Sequence, residues 1–345
     1  RDMGDYHQCF SRAAVLEGYS KATLAVGLDP IALLKQSDID PYCLRYPDFK
    51  IPTASIIQLL ELTASQANVA DFGLRMAECR SGSALGLAEL VLAQQPTLGA
   101  VIHKLLDIAW VQVDGLLLAV ENVAGFVVFT ADLEASLPGP AHQTIQLAMA
   151  SMIKILERVA HTKIHCAAIS FQCCEPGPSL RYVKIFGKNP AYGAEQNALT
   201  IRETDLALTL RPSDPVLEAR LLNLLLDTTG VREPTIVDRT RHIIQILLPT
   251  GQCRITRVAA MLSVDRRTLN RWLSNHGVSF SELVQEVRME VIRSSLRREV
   301  KIRGSMSDML GFAHRSSFSR WWSHNKAAVL QEPSARDVNP RQMLL

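Results

Sequence analysis

The pattern of apolar and polar positions divides the chain into a long mixed part and a shorter helical part. Ser11–Val26 is an Ala/Leu-rich run closed by Gly27 and reads as a helix. From Pro52 to Asn68, apolar residues return at Ile56, Ile57, Leu60, Ala64 and Ala67, which puts them on one helical face. Pro96 stands where a missing N–H costs little, so a helix is expected to open there and run through Thr97–Trp110. The period then changes. Val111–Val120 and Ala124–Ala131 are rich in β-branched and aromatic residues, with Glu121-Asn122 between them as the expected hairpin turn. Ala141–Ala160 returns to helical spacing, Lys163–Phe171 and Ala198–Arg202 read as strands, and Pro215–Asp227 reads as a helix. Few strands among many helices, without regular β-α alternation, predict an α+β fold for this part. A boundary is expected at Thr228–Pro234, giving units of residues 1–230 and 235–335, with the last dozen residues frayed.

The second part is all helical. In Cys253–Gly277, Ile255, Val258, Ala259 and Leu262 share one face, Ser263-Val264 breaks the run, and Asp265 suits the N-cap of a second helix. Leu269, Trp272 and Leu273 then face inward and leave Arg266, Arg267, Asn270 and Arg271 outward. A short helix, a tight turn and a second helix with a basic, amide-bearing face are what reading a major groove requires. The arrangement recurs about 45 positions later. Met306, Met309 and Leu310 form an apolar face, Gly311 the turn, and Phe312, Phe318 and Trp322 pack behind a helix showing His314, Arg315, Ser316, Ser319 and Arg320. Phe280–Leu296 is long enough for one linking helix.

Charge sharpens this division. The whole chain carries a formal +3, but the part from Thr235 onward has 18 basic and 9 acidic residues, a net of +9, against −6 before it. One unit is built to meet a polyanion and the other is not. The most apolar stretch, Leu105–Leu133, is interrupted by Asp107, Asp114, Glu121 and Asp132, so no membrane span is expected. Seven scattered cysteines and the lack of a secretory layout predict reduced thiols and a cytoplasmic protein.

The second part resembles the AraC/XylS family of bacterial transcription regulators. The resemblance is carried by Ala259-Ala260-Met261-Leu262, Arg267-Thr268-Leu269-Asn270-Arg271, Gly277-Val278-Ser279-Phe280, Val287-Arg288, Leu310-Gly311-Phe312 and Ser316-Ser317-Phe318-Ser319-Arg320. The first part is similar to the arabinose-binding-domain-like class of N-terminal domains, rather than to the cupin barrel. That similarity rests on Phe72-Gly73-Leu74-Arg75, Gly82-Ser83-Ala84-Leu85-Gly86, Pro96-Thr97-Leu98-Gly99, Phe186-Gly187 and Tyr192-Gly193-Ala194 with Asn197. The resemblance implies double-stranded DNA and RNA polymerase as partners, a small-molecule effector, and a homodimer as one possible assembly. The chain departs from the pattern at Ala313, where the family has a capping serine, at Ser307 and Asp308, and at Lys326–Leu330. The expectation is that the first helix-turn-helix reads bases while the second grips phosphate.

Each candidate residue also has a plainer role. Arg266, Arg267, Asn270, Arg271, His314, Arg315, Ser316 and Arg320 are DNA contacts or a solvated helix face, with Arg315 or Arg320 open to an internal ion pair. Arg297, Arg298, Lys301 and Arg303 are phosphate contacts or solvated charge. Trp110, Val113, Phe126 and Phe129 serve an effector pocket or a packed core equally, and Arg181 with Tyr182 could hold an anionic group. His161, His165, Cys166, Cys173 and Cys174 are strand packing or a thiol or metal sensor, without the spacing of a structural zinc motif. No nucleophile elbow, phosphate loop or His-Glu-x-x-His helix is present, so neither enzyme nor cofactor is expected. The rival reading is a constitutive dimeric DNA-binding or interaction protein with no effector.

Overall fold

The structure is a computed structural model that describes residues 9–82, 85–134, 136–210, 214–229, 234–297 and 306–330. Side chains 294–297, 328 and 330 are outside that description, as are Gly230, Arg298, Lys301 and Arg303.

The expected first helix is divided. Phe10–Arg12 is strand β1, Ala13–Leu16 a single 3-10 turn, and only Tyr19–Ala25 an α-helix, α1. Gly18 separates the last two at φ +83°, where a Cβ would sit 2.9 Å from the Met76 carbonyl oxygen. Helices α2 (Pro30–Gln36), α3 (Thr53–Gln66) and α4 (Phe72–Cys79) follow, with strand β2 (Lys50–Pro52) pairing antiparallel to β1. After α5 (Leu87–Leu92) comes α6 (Leu98–Ile108), which opens one residue after Thr97 rather than at Pro96. The Thr97 hydroxyl accepts the Ala100 N–H at 3.2 Å, a cap that proline cannot supply.

The hairpin is displaced from its expected register. Strands β3 (Leu116–Val123) and β4 (Phe126–Leu133) turn at Ala124-Gly125, both at positive φ, as a two-residue hairpin demands. This register puts Leu116 and Leu118 on one face of β3 and Leu117 and Ala119 on the other. The long buried helix α7 (His142–Ala160) lies where helical spacing put it. Strand β5 is shorter than expected, Ala168–Ser170, and α8 (Leu180–Phe186) precedes β6 (Ala198–Arg202). The sheet order is β3-β4-β6-β5, antiparallel throughout. One turn, α9 (Glu203–Leu206), and α10 (Pro215–Thr229) complete this part.

The remainder is helical: α11 (Ile236–Leu247), α12 (Ile255–Met261), α13 (Arg266–Asn275), α14 (Phe280–Arg297), α15 (Met306–Met309) and α16 (Arg315–Leu330). The fold is thus an α+β N-terminal part followed by an all-α part with two helix-turn-helix units. Two main cores match it, one gathered around Phe72, Phe129 and Phe186, the other around Ile244, Leu269 and Val287. A third, small cluster joins them: Leu117 and Ala119 of β3 pack on Ile246 of α11 and Met261 of α12. Arg257 binds Glu121 at 2.8 Å and Arg239 pairs with Asp107 across the same junction. Among the described residues, no helix is long and apolar enough to cross a membrane.

Candidate nucleic-acid interface and effector cavity

The first helix-turn-helix is specified within its own sequence. Ser263 turns the chain at φ +58°, and Asp265 caps α13 by accepting the Thr268 N–H at 2.9 Å and its hydroxyl at 2.8 Å. These bonds hold the Asp265 carboxyl below its ordinary value. Leu269 and Leu273 are buried with Val258 and Ala259. Their helical spacing leaves Arg266, Arg267, Asn270 and Arg271 exposed together on the opposite side.

The second unit is held from a distance. Gly311 sits at φ +66°, so close to Leu248 that an added Cβ would overlap its carbonyl oxygen. The Arg288 guanidinium lies 4.1 Å above the Phe312 ring centroid, and its Nε donates to the Leu310 carbonyl at 3.1 Å. Phe312 packs against Phe318 and Trp321, whose indole N–H donates to Gln285. Trp321 and Trp322 are half-buried, and for Trp322 this is the packing role that its spacing indicated. Helix α16 opens at Arg315, so His314, not Ala313, immediately precedes it. His314, Arg315, Ser316 and Arg320 are all exposed.

The positive charges of this part fall into two groups. Arg239 and Arg257 reach acids of the N-terminal part, Arg241 binds Glu286 at 2.6 Å and Glu290 at 2.7 Å, and Arg288 covers Phe312. Their charge is used internally. Arg266, Arg267, Arg271, Arg315 and Arg320 make no ion pair with any described residue, and all five lie on α13 or α16. The internal pair considered for Arg315 or Arg320 does not form there. Exposed Arg254, just ahead of α12, and Lys326 on α16 belong with this second group; sequence reasoning missed both. A basic residue at the first turn of a helix-turn-helix was the available signal for Arg254.

The N-terminal part holds a partly open apolar cavity of about 150 Å³ between the sheet and helices α3, α6 and α7. Leu116, Leu118 and Phe129 form one wall, and Leu60, Leu147 and Met152 lie among the residues opposite. Polar side chains gather around Arg80, with Glu17, Ser151, Lys154 and Arg158. Arg80 donates from Nη1 to Ser151 Oγ at 2.9 Å and from Nη2 to the Val15 carbonyl, while its buried Nε has no partner. Burial, reinforced by Arg158 although opposed by Glu17, lowers the Arg80 guanidinium to about 10, so it remains a cation at neutral pH. Arg158 is engaged with Glu89 at 2.9 Å, and Gly82 leaves room for its guanidinium, where a Cβ would collide.

Of the residues singled out as pocket candidates, Val113 and Phe129 line this cavity, and Trp110 and Phe126 do not. The Trp110 indole N–H donates to the Asp107 carbonyl beside the core. Arg181 is bound to Glu78 at 2.9 Å and to Asp71 at 3.3 Å. Burial pushes Asp71 up, but Ser179, Arg75 and Arg181 outweigh it and keep the carboxyl below its ordinary value. Tyr182 is buried, and its hydroxyl accepts from Gln146 at 2.9 Å. The fold therefore ties Arg181 to Asp71 and Glu78 and leaves it out of the lining of this cavity. Arg80 had no sequence signal, because its role depends on Ser151 and Val15, both far away in the chain.

His161 ends α7 at φ +54°, Cys166 and Cys173 are buried, and Cys174 is exposed. Among the described residues, no three His, Cys, Asp or Glu side chains form a metal-holding group. Burial next to Glu157 pushes the Cys166 thiol up to about 12, which keeps it protonated and a poor nucleophile.

Residues 27–210 match the family model described as the arabinose-binding domain of AraC transcription regulator, N-terminal, and residues 258–328 match a helix-turn-helix domain. The HTH-type transcriptional regulator VirS of Mycobacterium tuberculosis, in two strains, is 24% identical over 314 residues, covering 90% of this chain and 92% of VirS. The crystal structure of the transcriptional regulator CdpR from Pseudomonas aeruginosa aligns at 22% identity with a TM-score of 0.41, over 85% of this chain and 93% of that one.

Proposed function

Because the chain belongs to the AraC transcription regulators with an arabinose-binding N-terminal domain, we propose which of its residues read DNA and how an effector reaches them. Arg266, Arg267, Asn270 and Arg271 of α13 enter one major groove and contact base edges. His314, Arg315, Ser316 and Arg320 of α16 enter the next groove and mainly grip phosphate. The supporting observation is the division of arginines: those on α13 and α16 are exposed and unpaired with any described residue, while Arg239, Arg241 and Arg257 are bound internally.

The boundary between the regulatory and DNA-binding units lies at residues 230–235. A small-molecule effector occupies the apolar cavity and acts through β3. Leu116 and Leu118 line the cavity, and Leu117 and Ala119 of the same strand carry α11 and α12. A ligand that prefers one placement of β3 thereby biases the position of the first helix-turn-helix. Leu217, Leu221 and Leu224 form an i, i+4, i+7 stripe on α10, exposed at its two ends, and offer a contact for a second copy of the chain. RNA polymerase is the protein partner at the promoter, and the protein acts in the cytoplasm.

Selection of duplexes from a random pool by the full chain, at several salt concentrations, tests the DNA assignment. The expected site has two elements about 10 bp apart, with base preference concentrated in one of them. Binding that falls with salt but enriches no sequence would sink the assignment of α13 as a base reader.

A further inference from the structure

We propose that the apolar cavity takes a monocarboxylate with a compact apolar body of about six to eight carbons, its carboxylate held by Arg80. This deepens the effector reading above and rests on it. The body is set by volume and lining. A cavity of about 150 Å³ walled by Leu60, Leu118, Phe129, Leu147 and Met152 is of the size that accepts a benzene-sized group. A sugar fits it less well, because the polar side chains gather at the Arg80 end and most of the lining is hydrocarbon, against which the remaining hydroxyls would lose water.

The headgroup follows from Arg80. Both terminal nitrogens serve neutral oxygens, Ser151 Oγ and the Val15 carbonyl, and Nε serves none. No carboxylate of the described residues lies within ion-pair distance of it. Glu17 lies in the same lining but forms no ion pair with Arg80, so the guanidinium lacks a direct counter-ion, which an anionic ligand supplies.

Charge counting fixes the valence. Arg80, Lys154 and Arg158 face Glu17 and, through the Arg158 pair, Glu89, which leaves one net positive charge. A monoanion neutralises it, and a dianion over-corrects it. Another cavity, against β4, is lined by Asp132 and Glu134 and would repel the same ligand.

Melting of the full-length protein at neutral pH, with octanoate or phenylacetate beside octanamide, phenylacetamide and arabinose, tests the proposal. Both acids are expected to raise Tm by roughly 5–10 °C at a hundredfold excess over Kd, and the neutral compounds to leave it unchanged. Arg80→Met should weaken octanoate binding by ~10-fold or more, with Arg80→Lys falling between it and the parent. If loss of the Ser151 and Val15 bonds unfolds Arg80→Met, Ala148→Leu fills the cavity instead and should abolish the shift while keeping every charge. Equal shifts from acid and amide, a shift from arabinose alone, or none from either acid up to about 1 mM, overturns the proposal. DNA selection without ligand is scored separately. Its failure removes the regulator assignment and leaves the melting result standing.

Discussion

The two helix-turn-helix units reach the same outline by different routes. In the first, Asp265 caps α13 through Thr268, and Leu269 and Leu273 bury against Val258 and Ala259 a few residues upstream. In the second, α15 is a single turn, and orientation comes from outside: Leu248 behind Gly311, Arg288 over Phe312, and Gln285 beneath Trp321. A helix fixed by its own cap and turn can present base-reading side chains in one orientation. A helix fixed through aromatic packing on α14 depends on everything that holds α14. The difference gives a physical reason for unequal roles at DNA.

The sharpest way to break the second unit alone is Gly311→Ala. The backbone there is left-handed, and the new methyl would overlap the Leu248 carbonyl oxygen, so relief requires moving the whole turn. A loss of about 3 kcal/mol is expected in thermal unfolding. Gly277→Ala is the control, since Gly277 has φ +74° but nothing within 4 Å, and should cost about 1 kcal/mol. Equal losses at the two glycines would show that contact with Leu248 does not organise the second turn.

Next in size is the contrast between Arg267→Ala and Arg315→Ala. Loss of a bidentate guanidinium–base contact costs about 1–3 kcal/mol and relaxes preference at one position. Loss of a phosphate contact weakens all sequences alike and lowers the salt slope by about 1. Site selection on both variants separates the two outcomes. If Arg315→Ala changes base preference as much as Arg267→Ala does, the units are equal readers and the structural asymmetry has no counterpart in recognition.

What was legible in the sequence follows the same division between local and distant contacts. The first unit could be read closely, because Asp265 as cap, Ser263-Val264 as turn and the 269–272–273 spacing act within one short segment. Helix α7 and strand β6 were readable for the same reason. The sheet was harder. Ala124-Gly125 is a weak turn signal, and only pairing over the full length of β3 and β4 selects it above Glu121-Asn122. β1 is a strand only because β2, forty residues on, pairs with it. Arg80 gave no sign at all, since its partners Ser151 and Val15 meet it only in three dimensions. The alternation along β3 announced a strand but not that one face would line a cavity and the other carry a second core.

Asp265→Ala probes the first unit's independence. Hydrogen bonds from Thr268 hold the carboxyl below its ordinary value, so its contribution is present above its unfolded value, about pH 4, and is lost as pH falls through the lower folded value. The variant should melt below the parent at neutral pH and approach it in acid. It should also loosen base preference in the first element of the site without affecting the second. A difference in melting that persists unchanged at low pH would mean that the cap bonds are not its source.

The smallest expected effect is also the most selective. Ser263 holds a left-handed conformation, φ +58°, at the position of the first turn that corresponds to Gly311 in the second. It is exposed, so substitution touches no packing. Glycine relieves the strain of a Cβ in that region but loses more chain entropy on folding, so strain relief and entropy oppose each other. Where the left-handed residue is exposed and makes no contacts, strain outweighs entropy, and Ser263→Gly is expected to raise stability by about 0.5 kcal/mol. DNA preference should stay as it was, because Asp265 still caps α13 and sets where its arginines point. A gain in stability accompanied by a changed site would place the orientation of α13 in the turn rather than in the cap.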